Sequence, residues 1–187
     1  MLITVLGPDG TGKTTLANKL AEAYDNLEYI YFGNNIESRK YKYFSRFLYS
    51  QKSGKWNIFL KYIFIFINDL YYFRLARKKH LISDRCPIDK YVGTIIFKDT
   101  FRNLFHKYSL KLLPNPDFVI LLVGDPEVIY LRKEEISSNA ISNYIDLYKK
   151  YIKSNSITSC TIDTTKYNIQ ETYDLATIKI EALLNES

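Results

Sequence analysis

Short apolar segments alternate with longer segments of helical periodicity along most of the chain. Five segments rich in β-branched residues and leucine are predicted as strands, namely Leu2–Leu6, Glu28–Phe32, His80–Asp84, Phe118–Val123 and Ser159–Ile162. Helices are predicted for Lys13–Tyr24, Trp56–Lys78, Pro126–Glu134, Ser142–Lys153 and Ile169–Leu184, and Asp89–Leu112 is predicted to be mainly helical. This alternation is typical of a parallel sheet covered by helices on both faces. We therefore predict one α/β domain over residues 1–187, with about five parallel strands.

Parallel strands end at the same edge of a sheet, so residues that directly follow the strands are the first candidates for a ligand site. Three of the predicted strands lead into segments with charged or glycine-rich sequences. These segments begin at Gly7, Asp84 and Asp125. The sheet edge that they share is therefore the predicted ligand site.

A glycine-rich loop joins the first strand to the first helix and has the pattern Gly7-x-x-x-x-Gly12-Lys13-Thr14. Glycines let backbone N–H groups turn inward around phosphate oxygens, and the helix N-terminus adds partial positive charge. Lys13 supplies a full charge, and the Thr14 hydroxyl can bind magnesium. The residues expected to bind ATP are Gly7, Asp9, Gly10, Thr11, Gly12, Lys13, Thr14 and Thr15.

The pair Asp84-Arg85 stands at the end of the third predicted strand. A carboxylate in this position can organise magnesium together with Thr14, and an arginine can form a forked contact with a phosphate. We therefore predict Asp84 as a magnesium residue and Arg85 as an acceptor-binding residue, with Asp89 as a secondary candidate.

A charged helix follows the fourth strand and begins with helix-start chemistry at Asp125-Pro126-Glu127. It carries Arg132 and Lys133 toward the predicted site. A segment of this kind can close over a donor and place cations on the transferring phosphoryl group. We predict a lid at about residues 132–141, with Arg132 and Lys133 as catalytic candidates beside Lys13, Asp84 and Arg85.

The run Gly7-Pro8-Asp9-Gly10-Thr11-Gly12-Lys13-Thr14-Thr15 closely resembles the phosphate loop of thymidylate kinases, whose pattern is G-x-D-G-x-G-K-T-T. Asp84-Arg85 is similar to the Asp-Arg motif of the same family. The resemblance implies a P-loop kinase fold, and ATP- and magnesium-dependent phosphoryl transfer to a nucleoside monophosphate. It further implies that Asp9 contacts the acceptor sugar, that Arg85 holds the acceptor phosphate, and that Arg132, or secondly Lys133, is the lid cation. The lid of this chain is short, which is a departure from the family pattern.

The segment Asp125–Tyr151 is similar to a subgroup of this family found in bacterial surface-polysaccharide gene clusters, which has a tyrosine on the following helix. The candidates for that tyrosine are Tyr144, Tyr148 and Tyr151. Thymidylate kinases also commonly form dimers, so the resemblance implies a homodimer.

Thymidylate kinases recognise the base with a Phe and an Arg on the helix before the Asp-Arg strand. The position of that arginine falls near Asp69-Leu70, where the chain has Leu70. Arg74, about one turn later, and Phe66 are the acceptor-binding candidates in its place. Because of this departure, the sequence does not predict which base is bound. Two alternatives to a nucleoside monophosphate kinase also remain. One is a kinase for a nucleoside, sugar or other small-molecule hydroxyl, and the other is an ATP-binding regulatory protein with little transferase activity.

Composition sets further bounds on the protein. The net charge of +6 comes from dispersed basic residues, and no helix-turn-helix, zinc or RNA-recognition motif is visible, so no specific nucleic-acid partner is expected. Cys86 and Cys160 have no metal-ligand spacing, which favours a reducing compartment. The most apolar stretch, residues 58–67, contains Lys61 and is far shorter than the roughly 20 residues of a membrane span. No secretory signal is recognisable, so we expect a cytoplasmic protein whose partner is a small-molecule phosphate acceptor, a nucleotide in the leading interpretation.

Overall fold

The structure is a computed structural model that describes residues 1–32 and 55–185. Its centre is one sheet of five parallel strands in the order β2-β3-β1-β4-β5. The strands are β1 (Leu2–Leu6), β2 (Leu27–Tyr31), β3 (His80–Asp84), β4 (Phe118–Val123) and β5 (Ser159–Asp163). The predicted α/β fold with a five-stranded parallel sheet is therefore confirmed.

Helices cover both faces of this sheet. The helices in the described ranges are α1 (Lys13–Ala23), α2 (Lys55–Ala76), α3 (Pro87–Ile96), α4 (Thr100–Leu112), α5 (Pro126–Arg132), α6 (Ser138–Ser154) and α7 (Ile169–Asn185). None of them combines the length and the apolar content that a membrane-spanning helix requires.

The core consists of two main apolar layers on either side of the sheet. On one face, Leu20 of α1 and Ile180 of α7 pack against β1 and β4. On the other face, Val92 of α3 and Tyr148 of α6 pack against the opposite side chains of the same strands. Burial of each large apolar side chain contributes about 1.5–3 kcal/mol, so these layers hold the strand ends in fixed positions.

The register of β1 and β3 brings the predicted site segments together. Val5 lies beside Asp84, and Ile3 lies beside Ile82, so the two strands end side by side. The loop that begins at Gly7 therefore starts next to Asp84 and Arg85. The other neighbour of β1 is β4, whose end leads into α5.

Most predicted element ends agree with the structure within one or two residues, and two differences are larger. The segment 89–112 forms two helices, because Lys98 has a φ of 53° and the Asp99 side chain caps α4 by accepting from the backbone N–H of Arg102. Helix α6 begins at Ser138 and not at Ser142, because the Ser137 hydroxyl oxygen accepts from the Ala140 N–H at 3.3 Å. Only residues 133–137 of the predicted lid segment therefore connect α5 to α6.

Candidate active site

The phosphate loop between β1 and α1 depends on two glycines that lie very close to other backbone segments. Gly7 has a φ of 152°, and a Cβ there would stand 2.5 Å from the Leu122 carbonyl oxygen. Gly10 has a φ of 93°, and a Cβ there would stand 3.0 Å from the Ile129 carbonyl oxygen. Only glycine is compatible with both the positive φ and the limited space. Gly7 thus lets the loop pack closely against β4, and Gly10 lets α5 pack over the loop.

Lys13 lies at the start of α1 and turns back into the loop. Its Nζ donates to the Pro8 carbonyl oxygen at 2.8 Å and to Asp9 Oδ1 at 3.1 Å, and the residue is only 5% exposed. Gly12 is the N-cap of α1, and no side chain of the described residues caps this helix. The first N–H groups of α1 therefore face the loop together with the lysine charge, which is an arrangement suited to an anion.

Asp84 and Thr14 contact each other at the ends of β3 and the phosphate loop. The Thr14 hydroxyl donates to Asp84 Oδ2, and Asp84 Oδ1 is buried without a hydrogen-bond partner among the described residues. Burial raises the pKa of Asp84, although the Thr14 hydrogen bond and the charges of Lys13 and Arg85 oppose this shift.

This pair of oxygen groups fits magnesium. Mg²⁺ prefers hard oxygen ligands and commonly uses one or two protein groups, with waters and substrate phosphates completing its shell. An unpartnered carboxylate oxygen beside a hydroxyl supplies such ligands. The described ranges contain no cluster of three or more His, Cys, Asp or Glu residues suited to a metal, so further ligands would come from the substrate and water.

Arg85 is held in a conformation that is uncommon for a residue with a side chain. Its φ is 70°, and its backbone N–H donates to the Val5 carbonyl oxygen at 3.1 Å. Its guanidinium donates to Asp9 Oδ1 through Nη2 at 2.6 Å and to Asp89 Oδ2 through Nη1 at 3.4 Å. Burial opposes the charge of Arg85, but Asp89 and Asp9 outweigh burial and raise its pKa. A left-handed backbone of this kind costs free energy and is often found at functional sites.

Asp9 links the lysine of the loop to this arginine. Its Oδ1 atom accepts from both Lys13 and Arg85, and its side chain is 28% exposed. Burial acts to raise the pKa of Asp9, but the charges of Lys13 and Arg85 outweigh it and lower this pKa. Asp9 is therefore a stable carboxylate, as expected for an acid that meets cations inside the loop.

Two of the three predicted tyrosines of α6 reach this region. Tyr148 is fully buried, and its hydroxyl donates to Asp89 Oδ1, so Asp89 lies between Tyr148 and Arg85. Burial, followed by the Asp89 charge, raises the pKa of Tyr148 well above its usual value. The Tyr144 ring lies 5.9 Å from the Tyr148 ring, and burial, followed by the charges of Asp89 and Asp9, raises the pKa of Tyr144 to about 12. Tyr151 instead lies against Tyr91, away from these acids.

Arg132 and Lys133 stand at the end of α5, near the phosphate loop. Arg132 donates through Nη2 to the Thr164 carbonyl oxygen at 2.7 Å and through Nη1 to the Thr164 hydroxyl at 3.2 Å. Lys133 forms an ion pair with Glu135 at 3.1 Å, and its Cβ would be 3.4 Å from a Cβ on Gly10. The two predicted cations are thus close to the loop but point to different neighbours.

A cavity of about 580 Å³ opens beside the loop, and we call it the donor cavity. Three loop residues and the first turns of α1 line one side, Arg132 lines another, and the segment after β5 forms the far wall. Its lining residues are Gly10, Thr11, Gly12, Thr15, Leu16, Lys19, Arg132, Thr164, Tyr167, Asn168, Ile169, Gln170, Thr172 and Tyr173. This volume is typical of small-molecule sites.

The far wall of the donor cavity is absent from the sequence predictions. A signal for it exists, because Asp163 is the last residue of β5 and Thr164-Thr165 directly follow it at the same edge of the sheet. Asp163 Oδ1 accepts from the Thr165 hydroxyl at 2.6 Å and from its N–H at 3.0 Å, which shapes the turn. Acidic and hydroxyl residues at the end of a parallel strand therefore indicate part of the site even where the strand signal is weak.

The two predicted base-recognition residues have different positions. Arg74 is exposed on the last turn of α2, and the carbonyl oxygen of Ala76 accepts from the N-terminal amine of Met1. Arg74 therefore lies near the opposite edge of the sheet from the phosphate loop, so the structure does not bring it to the site as predicted. Phe66 is half-buried and packs against the apolar cluster that contains Phe32 and Tyr72.

Lys90 and Asp69 form a polar pair near the apolar cluster that contains Phe66 and Phe32, and this pair was not predicted from the sequence. Lys90 Nζ is 2.7 Å from Asp69 Oδ1 and 2.8 Å from Asp69 Oδ2, and both side chains are largely buried. The Lys90 amine also lies 5.9 Å from the centre of the Phe32 ring. No sequence pattern indicates this pair, because the two residues stand on different helices, α2 and α3.

Comparison with known proteins shows the fold of the chain. No family model matches the sequence, and no curated protein matches it. Thymidylate kinase from Candida albicans has a similar structure, with a TM-score of 0.70 and 17% identity over 100% of this chain and 93% of that chain. Deoxyadenosine kinase from M. mycoides, solved with the products dCMP and dCDP, has a TM-score of 0.64 and 16% identity over 97% of this chain and 100% of that chain. The YorR protein from Bacillus subtilis, solved with phosphorylated GDP, has a TM-score of 0.58 and 22% identity over 99% and 98% of the two chains.

Proposed function

We propose that the protein transfers the γ-phosphoryl group of ATP to a nucleoside monophosphate, with magnesium as the cofactor. The observation that carries this proposal is the position of Asp9, whose Oδ1 accepts from both Lys13 and Arg85. In this assignment Lys13 serves the donor phosphates and Arg85 serves the acceptor phosphate. One carboxylate thus lies between the lysine assigned to the donor phosphates and the arginine assigned to the acceptor phosphate. This arrangement suits a direct transfer from donor to acceptor.

The donor half of the proposed site consists of the phosphate loop and the donor cavity. The triphosphate would bind the loop N–H groups, the start of α1 and Lys13, while the nucleoside would occupy the cavity beside Arg132. The far wall contributes Asn168 and Tyr173, which offer polar and aromatic contacts to a base. Arg132 is also the first candidate for a cation near the transferring group, with Lys133 as the second.

Thr14 and Asp84 are the residues that would hold magnesium. Bound there, the ion would neutralise charge on the phosphate oxygens during transfer. Asp84 would act as a carboxylate despite its raised pKa, because a cation next to Oδ1 favours the ionised form. Since phosphoryl transfer requires little covalent help, positioning and charge neutralisation are the main tasks of these residues.

The acceptor half of the proposed site centres on Arg85. Its guanidinium would bind the acceptor phosphate, and Asp89 and Tyr148 would keep it oriented. Asp9, which accepts from both Lys13 and Arg85, would also accept a hydrogen bond from a sugar hydroxyl. We retain Phe66 as a candidate contact to the base and drop Arg74 because of its distant position.

The similar proteins support a nucleotide or nucleoside as acceptor but do not select one. They include a thymidylate kinase and a deoxyadenosine kinase, which act on different acceptors. The more specific proposal is that the acceptor is thymidylate, and it is supported by the sequence motifs in the phosphate loop and at Asp84-Arg85. The residue at the expected arginine position is Leu70. Monophosphates of the other bases must therefore be tested on the same terms as thymidylate.

The proposal is tested by incubating the protein with ATP, magnesium and each common ribo- and deoxyribonucleoside monophosphate, and measuring ADP. We expect one or more monophosphates to raise ADP production at least tenfold above the rate without acceptor, where tenfold corresponds to about 1.4 kcal/mol in barrier height. Lys13→Ala should abolish the increase, and Lys153→Ala is the matched control because Lys153 is exposed on α6. Absence of acceptor-dependent turnover with every nucleotide would refute the proposal.

A nucleoside or another small alcohol is the second candidate acceptor. Leu70 favours it in one respect, since the arginine that would recognise a base is absent there. Asp84 or Asp9 would then accept the hydroxyl proton, and the raised pKa of Asp84 makes it the stronger base of the two. This version predicts ADP release with nucleosides or sugars and none with monophosphates. ATP binding without turnover for any acceptor would instead indicate a regulatory protein.

A further inference from the structure

A second cavity of about 390 Å³ lies between α3, α4 and α6. We call it the rear cavity and define it by Tyr91, Lys107, Lys111, Lys150 and Tyr151. It shares no lining residue with the donor cavity. It is therefore separate from the donor cavity.

The position of the rear cavity follows from the two helices that also serve the candidate active site. Ile95 of α3 lines it and stands six residues after Asp89, and Ser154 of α6 lines it and stands six residues after Tyr148. At 1.5 Å per residue, the rear cavity extends about 9 Å along each helix from the Asp89–Tyr148 hydrogen bond. Tyr91 and Leu147, which stand close in sequence to Asp89 and Tyr148, also line the cavity. The rear cavity thus begins beside the proposed acceptor site and runs away from it along the two helices.

The charges around the rear cavity have one sign. Lys107 and Lys111 reach it from α4, and Lys150 reaches it from α6. In the part of the chain that the structure describes, no Asp or Glu lines the cavity, and none of the three lysines takes part in an ion pair. All three lysines are exposed, and the Lys111 amine lies 5.5 Å from the centre of the Tyr108 ring. Three ammonium groups around one cavity attract an anion and disfavour a cation.

The remaining lining is aromatic and apolar. The rings of Tyr91 and Tyr151 lie 6.1 Å apart and are inclined by 60°, and both residues are only partly buried. Leu110 and Leu147 are also partly buried at this cavity. These surfaces have room for further contacts with a planar or apolar group, and the tyrosine hydroxyls offer hydrogen bonds.

We propose that the rear cavity is a second ligand site that binds a small phosphorylated molecule carrying a planar ring. The phosphate lies among Lys107, Lys111 and Lys150, and the ring lies against Tyr91 and Tyr151. A volume of about 390 Å³ falls within the range of small-molecule pockets, which combine apolar walls with a few polar anchors. A helix face that merely exposes three lysines would attract phosphate equally well, but it would not favour a ligand that carries a planar ring.

Pyridoxal 5′-phosphate is a suitable probe because it has a phosphate, a planar ring and an aldehyde. The aldehyde condenses with a lysine amine and releases water, and borohydride then reduces the resulting imine to a stable secondary amine. The full-length protein is labelled in the presence of excess magnesium and a non-hydrolysable ATP analogue, and peptide mapping identifies each modified lysine. The mapping resolves Lys13 from the rear-cavity lysines, so the test stands even if the proposed kinase function fails.

We expect saturable labelling of Lys107, Lys111 or Lys150 at a yield about tenfold above that of Lys153, which corresponds to about 1.4 kcal/mol of preference. Excess pyridoxine 5′-phosphate should suppress this labelling, and inorganic phosphate at the same concentration should not. Labelling in proportion to lysine exposure, with Lys153 as reactive as Lys150, would overturn the proposal. Equal competition by inorganic phosphate would overturn the role of the ring.

A pair of charge-reversal variants provides the matched control. Lys150→Glu should lower labelling of Lys107 and Lys111 about tenfold, whereas Lys153→Glu on the same helix should change it less than about twofold. Both lysines are exposed, so thermal melting should show that both variants fold. Equal labelling of the two variants would contradict the proposed site.

Discussion

The Arg85 guanidinium donates to Asp9 at 2.6 Å, across the gap between the end of β3 and the phosphate loop. The two residues are 76 positions apart in the sequence, and they meet because β1 and β3 are parallel neighbours that end side by side. The same Asp9 oxygen accepts from Lys13. Without the Asp9 carboxylate, Lys13 keeps its 2.8 Å hydrogen bond to the Pro8 carbonyl oxygen, whereas Arg85 keeps only the 3.4 Å contact with Asp89. A change at Asp9 should therefore affect the arginine more than the lysine.

Asp9→Asn should weaken acceptor use more than ATP binding. The amide keeps the size of the side chain but loses the charge that orients Arg85 and the strong acceptor for a sugar hydroxyl. We expect the acceptor KM to rise about tenfold and the Kd for ATP to change less than about threefold. Steady-state kinetics and equilibrium titration measure these quantities, and Asp25→Asn, at an exposed position, is the control. An ATP Kd that changes as much as the acceptor KM would contradict this role.

Asp84→Asn should lower activity and raise stability. Loss of the carboxylate removes the proposed magnesium residue, so we expect turnover to fall by about 100-fold or more. The raised pKa of Asp84 means that the folded state favours the protonated acid, so this stabilisation is lost as the pH rises through the folded-state pKa.

The stability part of this prediction follows because the amide of the Asp84→Asn variant would carry no buried charge, and its oxygen could still accept from the Thr14 hydroxyl. The melting temperature at pH 7 without magnesium should therefore rise relative to the wild type. Asp146→Asn, at an exposed position on α6, should leave both turnover and melting temperature unchanged. Retained turnover together with a lower melting temperature would show that Asp84 is a structural residue.

Tyr148→Phe should act on the acceptor through Asp89 and Arg85. The ring would still fill its buried position, so loss of the hydroxyl should cost about 1 kcal/mol of folding stability. Asp89 would lose one of its donors, and Arg85 would be held less firmly. We expect the acceptor KM to rise about fivefold with the ATP Kd unchanged. Tyr151→Phe, about one turn later on α6, should have no such effect, and an equal effect of both variants would argue against a positioning role for Tyr148.

His106 should make folding stability depend on pH below neutrality. Burial, followed by the charges of Lys90 and Arg102, lowers the pKa of His106 from its ordinary value of 6.5 to about 4. The unfolded chain therefore binds the proton more readily, and the free energy of unfolding should fall by up to about 3 kcal/mol as the pH drops from about 6.5 to about 4. Urea unfolding at several pH values should show a flatter profile for His106→Phe. The same slope in both proteins would assign the pH dependence to other groups.

The central features of the site could be predicted because they follow directly from strands in a parallel sheet. The phosphate loop, Asp84 and Arg85 each stand at a strand end, and parallel topology brings such ends together without any knowledge of side-chain packing. The fold itself was predictable for the same reason, since continuous apolar runs such as β4 are typical of buried strands in this pattern.

Features that depend on the rotation and packing of helices were not predictable from the sequence. Arg74 lies at the wrong edge of the sheet for its predicted role, because α2 runs away from the site toward the start of β3. The ion pair between Lys90 and Asp69 joins two helices whose mutual orientation no periodicity specifies. The early start of α6 depends on the Ser137 cap, a local contact within a segment that also has loop-like composition.

The destination of the γ-phosphoryl group tests the proposed function most directly. Phosphorus NMR of a reaction that contains ATP, magnesium and the best acceptor of the monophosphate panel distinguishes a new diphosphate from a phosphomonoester or free phosphate. Transfer to a monophosphate predicts a new β-phosphoryl signal that grows in equal amount with ADP and is absent in Lys13→Ala. A γ-phosphoryl group recovered only as inorganic phosphate or as a phosphomonoester would contradict a nucleoside monophosphate kinase.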